Sequence, residues 1–197
     1  MNLPNKLTLF RIILVPIVAL VWLFPYSEVG TELGSFSFGN VSVPYLNLIV
    51  IILFAIASFT DYLDGNIARK RNLVTTFGKF ADPIADKLLV NMMLLILSYK
   101  HLIPLVCCIL MILRDIVVDG CRMLAAQKGV VVSAGMLGKL KTFLQMITIV
   151  LILANNFPFE LWFIPMDEIL IWFTTFISVA GGYSYFMQVK DFIFESM

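Results

Sequence analysis

Apolar residues fall in long runs separated by short polar joints, a pattern that excludes the half-polar alternation of a soluble amphipathic fold. Six runs stand out, at roughly 8–26, 44–63, 84–101, 103–124, 138–157 and 168–189. Each is close to the ~20 residues that a helix needs to cross a bilayer. The predicted fold class is therefore all-α, an integral membrane bundle of six transmembrane helices. The first run, "LTLFRIILVPIVALVWLF", lacks the short apolar core and small-residue cleavage site of a signal peptide, so it is expected to stay as a helix, bent at Pro16. The Ser- and Gly-rich stretch 27–43 reads as an external loop. No internal repeat or low-complexity segment interrupts the chain, and 1–197 is read as a single membrane domain.

Composition sharpens this picture. Of 197 residues 60% are hydrophobic and only 14% charged, against about a quarter charged in a soluble domain. The formal net charge of +1 names no partner, and nothing suggests nucleic acid. Placement of charge is more informative. With the N-terminus inside, every basic residue of the 14 except Lys100 falls on or toward one side of the six runs. Basic residues collect on the cytoplasmic side. The expected topology thus has both termini in the cytoplasm of a multi-pass cell-membrane protein. The three cysteines, Cys107, Cys108 and Cys121, sit in or beside apolar runs, and His101 is the only histidine. That set reads as small buried hydrophobes rather than a zinc site.

Against this background the segment "DYLDGNIARKRNLVTTFGKFADPIADK" is anomalous. Asp61, Asp64, Gly65, Ala68 and Arg69 recur at three and four, which at about 100° per residue is one stripe of a helix. Asp82 and Asp86 share a face of the next helix, with Pro83 suited to its first turn. A hairpin of two helices would aim four carboxylates at one place near the cytoplasmic membrane surface. Such a cluster is self-repelling unless a cation compensates it. An all-oxygen donor set favours a hard ion, Mg²⁺ with Mn²⁺ as the alternative, and paired ions are common where phosphoryl groups move. The bland alternative has the aspartates capping helices or pairing with Arg69, Lys70 and Lys87. Gly65 and Ala68 keep the stripe open, or serve close helix packing. Arg69 suits a phosphate oxygen, or simply anchors the inner face.

The spacing Asp61-x2-Asp64-Gly65-x2-Ala68-Arg69-x8-Gly78-x3-Asp82-x3-Asp86 resembles, at all eight positions, the signature of the CDP-alcohol phosphatidyltransferase family. "LPNKLTLFRI", "RDIVVDGCR" and "GKLKT" are similar to the branch that uses sn-glycerol 3-phosphate. This likeness runs from Leu3 to about Thr142 and weakens in the last two runs. It implies transfer of a phosphatidyl group from CDP-diacylglycerol to sn-glycerol 3-phosphate, giving phosphatidylglycerophosphate and CMP, in a homodimer embedded among membrane lipids. It further implies that Asp61, Asp64, Asp82 and Asp86 are metal ligands, Asp86 also being the general base. Gly65, Arg69 and Thr75 would contact the CDP moiety, with Asn5 and Thr8 as further donor-site candidates.

An anionic acceptor needs its own basic pocket, and Arg114, Arg122, Lys139 and Lys141 are available for it. Arg114 lies inside the run "CCILMILRDIVV" and needs a ligand or a partner there; Asp115 or Asp119 could be that partner. Two other readings stay open: a sibling transferase acting on inositol phosphate, serine or a second lipid, and a cation transporter using the aspartates as an ion path.

Overall fold

The structure, a computed structural model, describes residues 2–31, 33–70, 75–127 and 135–194. Six helices follow the six apolar runs: α1 (Leu3–Leu23), α2 (Tyr45–Lys70), α3 (Thr76–Tyr99), α4 (Leu105–Gln127), α5 (Met136–Leu153) and α6 (Met166–Phe194). Three of them reach well past the apolar runs. Helix α2 continues through the aspartate stripe to Lys70, α3 begins ahead of Asp82, and α6 runs to Phe194. Periodicity marks where a helix is apolar, whereas the backbone stays helical into its polar, capped ends.

The helices gather in two compact units interleaved along the chain. The first comprises Met1–Leu97 with Ile152–Ile164, the second Ser98–Leu151 with Pro165–Met197.

In the first unit α1 packs along α2. Asn2 caps α1, its side chain accepting the Asn5 N–H at 3.3 Å, and Pro4 occupies the first turn, where a missing N–H costs nothing. The buried residues Pro4, Asn5, Thr8, Arg11, Val15, Val18 and Trp22 advance by one, three and four and make one face. Leu9, Phe10, Ile13, Ile17 and Leu20 occupy the opposite side and are exposed. The helix is apolar outward and carries its polar residues inward, the arrangement expected where the solvent is lipid.

One element departs from the all-helical expectation. Within the stretch read as a loop, β1 (Ser35–Phe38) and β2 (Val41–Pro44) pair antiparallel, with Phe36 opposite Val43 and Ser37 opposite Ser42. Gly39, at φ +61°, opens the two-residue turn between them, where a glycine is favoured. Val41 and Val43 are buried while the flanking serine is exposed, the period-two pattern of a half-buried strand. Asn155 donates to the Ser42 carbonyl at 2.6 Å and Asn40 to that of Glu160 at 3.3 Å. These bonds fasten the hairpin to the 3₁₀ turn Phe159–Trp162 and its approach.

In the second unit α4 packs on α6 through Val118, Cys121, Ala125, Tyr185 and Val189. The three cysteines are free and buried, as their surroundings in the sequence imply. Thr148 of α5 meets Thr174 of α6, hydroxyl to hydroxyl at 3.1 Å. Among the described residues, three helices are long and apolar enough to cross a membrane: Leu3–Leu23, Met136–Leu153 and Met166–Lys190. Helix α4 is interrupted by charge. The apolar part of α2 spans Tyr45–Asp61, and α4 contains Arg114, Asp115, Asp119 and Arg122.

Candidate active site

The aspartate hairpin belongs to the first unit, and α1 supplies a third wall to it. Asp61 lies on α2 and Asp82 on α3. The Arg11 guanidinium, fully buried, donates through Nη1 to Oδ1 of Asp61, whose side chain is 37% exposed. Thr8, one turn earlier on the same face of α1, donates its hydroxyl to Oδ1 of Asp82 at 2.7 Å. One turn earlier again, the Asn5 side-chain oxygen accepts the Thr75 hydroxyl at 2.9 Å. Thr75 also caps α3, its Oγ1 accepting the Gly78 N–H at 3.0 Å. The stripe Asn5–Thr8–Arg11 thus reaches Thr75, Asp82 and Asp61 in turn.

Gly78 keeps this corner open. A Cβ there would lie 3.3 Å from Oδ1 of Asn5, 3.4 Å from Oγ1 of Thr75 and 3.6 Å from Oδ2 of Asp82. Oδ2 of Asp61 and Oδ2 of Asp82 make no hydrogen bond among the described residues, each carboxylate being held by its other oxygen. Two half-used carboxylates, a glycine cradle and a donor set without sulfur or imidazole fit a hard divalent cation. Asp64, Gly65, Arg69 and Asp86 fall on α2 and α3, but their side chains lie outside the described residues. Among the described residues no three His, Cys, Asp or Glu side chains converge.

Sequence reasoning passed over Arg11, treating it as one more inward-facing charge. The available signal was its place in the stripe at Asn5, Thr8 and Arg11, inside an otherwise apolar run. Asn5, Thr8 and Thr75, read as donor-site residues, have their side chains engaged within the protein.

The basic residues occupy the second unit. Asp115, with a side chain 7% exposed, accepts from Nη1 of Arg114 at 2.9 Å and from Nζ of Lys141 at 2.7 Å. Nε of Arg114 donates to the Ser178 carbonyl at 3.0 Å. Of the partners weighed for Arg114, the structure selects Asp115, and it draws Lys141 into the same pair. The guanidinium is seated against Gly181 and Gly182, where a Cβ on Gly182 would come within 2.6 Å of Cγ of Arg114. Only glycine permits that approach. A cavity of about 220 Å³ opens beside it, lined by Arg114, Arg122, Gly135–Gly138, Gly181, Ser184, Tyr185 and Gln188. Arg122 stacks over the Tyr185 ring at 5.4 Å, a cation–π contact that steadies an exposed side chain. Lys139 is exposed and Lys141 buried, and neither lines the cavity. Of the four basic candidates, the two arginines share the cavity, while Lys141 joins Arg114 through Asp115.

Helices apolar enough for a bilayer, carboxylates each held through one oxygen among the described residues, and an arginine-lined cavity are the features that a membrane enzyme acting on phosphorylated substrates would need. The family profile described as CDP-alcohol phosphatidyltransferase matches residues 1–180, and the chain belongs to that family. Similar relatives include the CDP-diacylglycerol–glycerol-3-phosphate 3-phosphatidyltransferase of Bacillus subtilis (strain 168), 46% identical over 187 residues, which cover 95% of this chain and 94% of the relative. The protein of the same name from Rickettsia typhi (strain ATCC VR-144 / Wilmington) is 38% identical over 97% of this chain and 98% of its own length. The likeness therefore extends past Thr142, where the quoted motifs thin out, into α5 and α6.

Proposed function

We propose that this protein transfers the phosphatidyl group of CDP-diacylglycerol to sn-glycerol 3-phosphate, forming phosphatidylglycerophosphate and CMP in phospholipid biosynthesis. The observation that carries this reading is the 46% identity, sustained over 95% of the chain, to a relative named for that reaction. The free primary hydroxyl of the acceptor attacks the phosphorus bearing the diacylglycerol. The bond from that phosphorus to the CMP oxygen breaks, and the hydroxyl proton passes to the Asp86 carboxylate.

Asp61, Asp64, Asp82 and Asp86 would hold the divalent metal, two Mg²⁺ ions in this reading, with Mn²⁺ as a substitute. A cation held by them would supply positive charge against the charge that develops on the diphosphate oxygens. Gly65 leaves the backbone accessible to the CDP group, and Arg69 neutralises a phosphate oxygen. In the second unit Arg114 and Arg122 bind the acceptor phosphate, a role supported by their shared cavity. Asp115 orients Arg114 without cancelling the positive charge there, since its one carboxylate is shared by two cations, Arg114 and Lys141. Lys141 acts through Asp115.

The topology in this reading has six spans, both termini in the cytoplasm and the aspartates at the cytoplasmic face of the cell membrane, in a homodimer. The distribution of basic residues supports the orientation. The lipid tails of the donor then remain in the bilayer while its headgroup meets a water-soluble acceptor at the interface.

The test is purified protein given CDP-diacylglycerol, labelled sn-glycerol 3-phosphate and Mg²⁺. Labelled phosphatidylglycerophosphate with equimolar CMP is expected. Transfer to a different alcohol, with none to glycerol 3-phosphate, would overturn the choice of acceptor.

A further inference from the structure

Arg11 is the largest polar side chain enclosed completely among the described residues of the first unit, and one of its partners, Asp61, lies 50 residues away on another helix. A buried guanidinium cannot be satisfied by water, and in a membrane span it needs an anionic or carbonyl partner at all times. A single N–H···O bond from Nη1 restrains the position of Oδ1, and with it the rotation of the Asp61 carboxylate about its Cβ–Cγ bond. Arg11 takes Oδ1 of Asp61, and Oδ2 stays without a hydrogen bond among the described residues. Thr8 treats Asp82 in the same way, one turn along the same helix face.

We propose that Arg11 is a positioning residue, whose guanidinium holds the Asp61 carboxylate in one orientation and so sets the affinity of the aspartate corner for a divalent cation. The inference rests on the metal-dependent reading given above. Two simpler roles make different demands. If Arg11 only joins α1 to α2, its loss lowers stability and leaves the cation affinity of the folded protein unchanged. If it acts only as a nearby positive charge, its loss relieves repulsion and tightens cation binding. Orientation alone predicts weaker binding, because a released carboxylate must be ordered again by the ion. Groups that orient metal ligands from outside the ligand set typically contribute 10–100-fold in affinity.

The experiment titrates MgCl₂, without substrates, into the full-length protein in detergent micelles, reading heat of binding and the shift in unfolding temperature. Wild type, Arg11→Lys, Arg11→Met and Asp61→Asn are compared. Mg²⁺ binding about 10–100-fold weaker in Arg11→Met is expected, with Arg11→Lys intermediate. Unchanged or tighter binding in Arg11→Met would overturn the proposal. Should that variant fail to fold, the same result in Arg11→Lys would do so. Wild type that neither binds Mg²⁺ nor loses turnover in Asp61→Asn would overturn the metal-dependent reading along with it. Normal Mg²⁺ binding in the arginine variants, lost in Asp61→Asn, removes only the role given to Arg11.

Discussion

Replacing Asp115 by Asn tests how the second unit arms its basic cavity. Asp115 is 7% exposed and accepts one bond from Arg114 at 2.9 Å and one from Lys141 at 2.7 Å. A hydrogen bond to a charged group contributes roughly 1.5–3 kcal/mol. Losing the carboxylate charge from both should therefore cost about 3–6 kcal/mol, within reach of the 3–5 kcal/mol seen on breaking buried ion pairs. The asparagine amide makes matters worse, since it turns an NH₂ toward one of two cations. Lys141→Met removes only one of the two bonds and should cost about 1.5–3 kcal/mol. The double variant should lose less than the two single losses added together, with a coupling of about 2 kcal/mol, as expected for residues in direct contact. Arg114 keeps its Nε bond to Ser178 at 3.0 Å but loses the group that aims Nη1. Turnover at saturating acceptor should thus hold while KM for glycerol 3-phosphate rises about tenfold, equivalent to ~1.4 kcal/mol. Denaturation in mixed micelles and steady-state kinetics read both effects. Additivity within about 0.5 kcal/mol, together with an unchanged KM, would refute the bridging role of Asp115.

Three further outcomes are expected. Asp86→Asn should abolish CMP release while CDP-diacylglycerol still binds, measured by equilibrium binding of the lipid; near-normal turnover would remove its assignment as general base. Gly182→Ala places a Cβ 2.6 Å from Cγ of Arg114, so the arginine must move; KM for glycerol 3-phosphate should rise several-fold with donor KM unaffected. Thr75→Ala deletes the cap of α3 and the bond to Asn5, and should lower stability by about 1 kcal/mol, read from the denaturation midpoint. Thr75→Ser, which keeps the hydroxyl, should recover most of that loss.

Much of the molecule is local in origin and could be read along the chain. A run of about 20 apolar residues has one economical structure in lipid, because only a helix satisfies its own backbone there. Six such runs yielded six helices. Spacings of three and four put Asp61 with Asp64, and Asp82 with Asp86, on common helix faces before any contact was known. The hairpin at 35–44 is legible in the alternation "SFSFGNVSV", although the Ser and Gly content of 27–43 equally suits a loop.

The pairings between helices were not legible. Sequence spacing shows that Arg114 needs a partner and names Asp115 and Asp119 as candidates. Which one it meets depends on the rotation of α4 against α6 and on the room left by Gly181 and Gly182. That Lys141 joins the same carboxylate requires α5 to lie alongside. The bond from Arg11 to Asp61, and that from Thr8 to Asp82, span 50 and 74 residues of chain. Helical period says which face a residue occupies, and nothing about what that face will meet. By itself the sequence determined the helices and which residues share a helix face. Tertiary packing alone decided which buried charge answers which, because in a low-dielectric interior a charge is stable only against the particular partner that packing brings within hydrogen-bond reach.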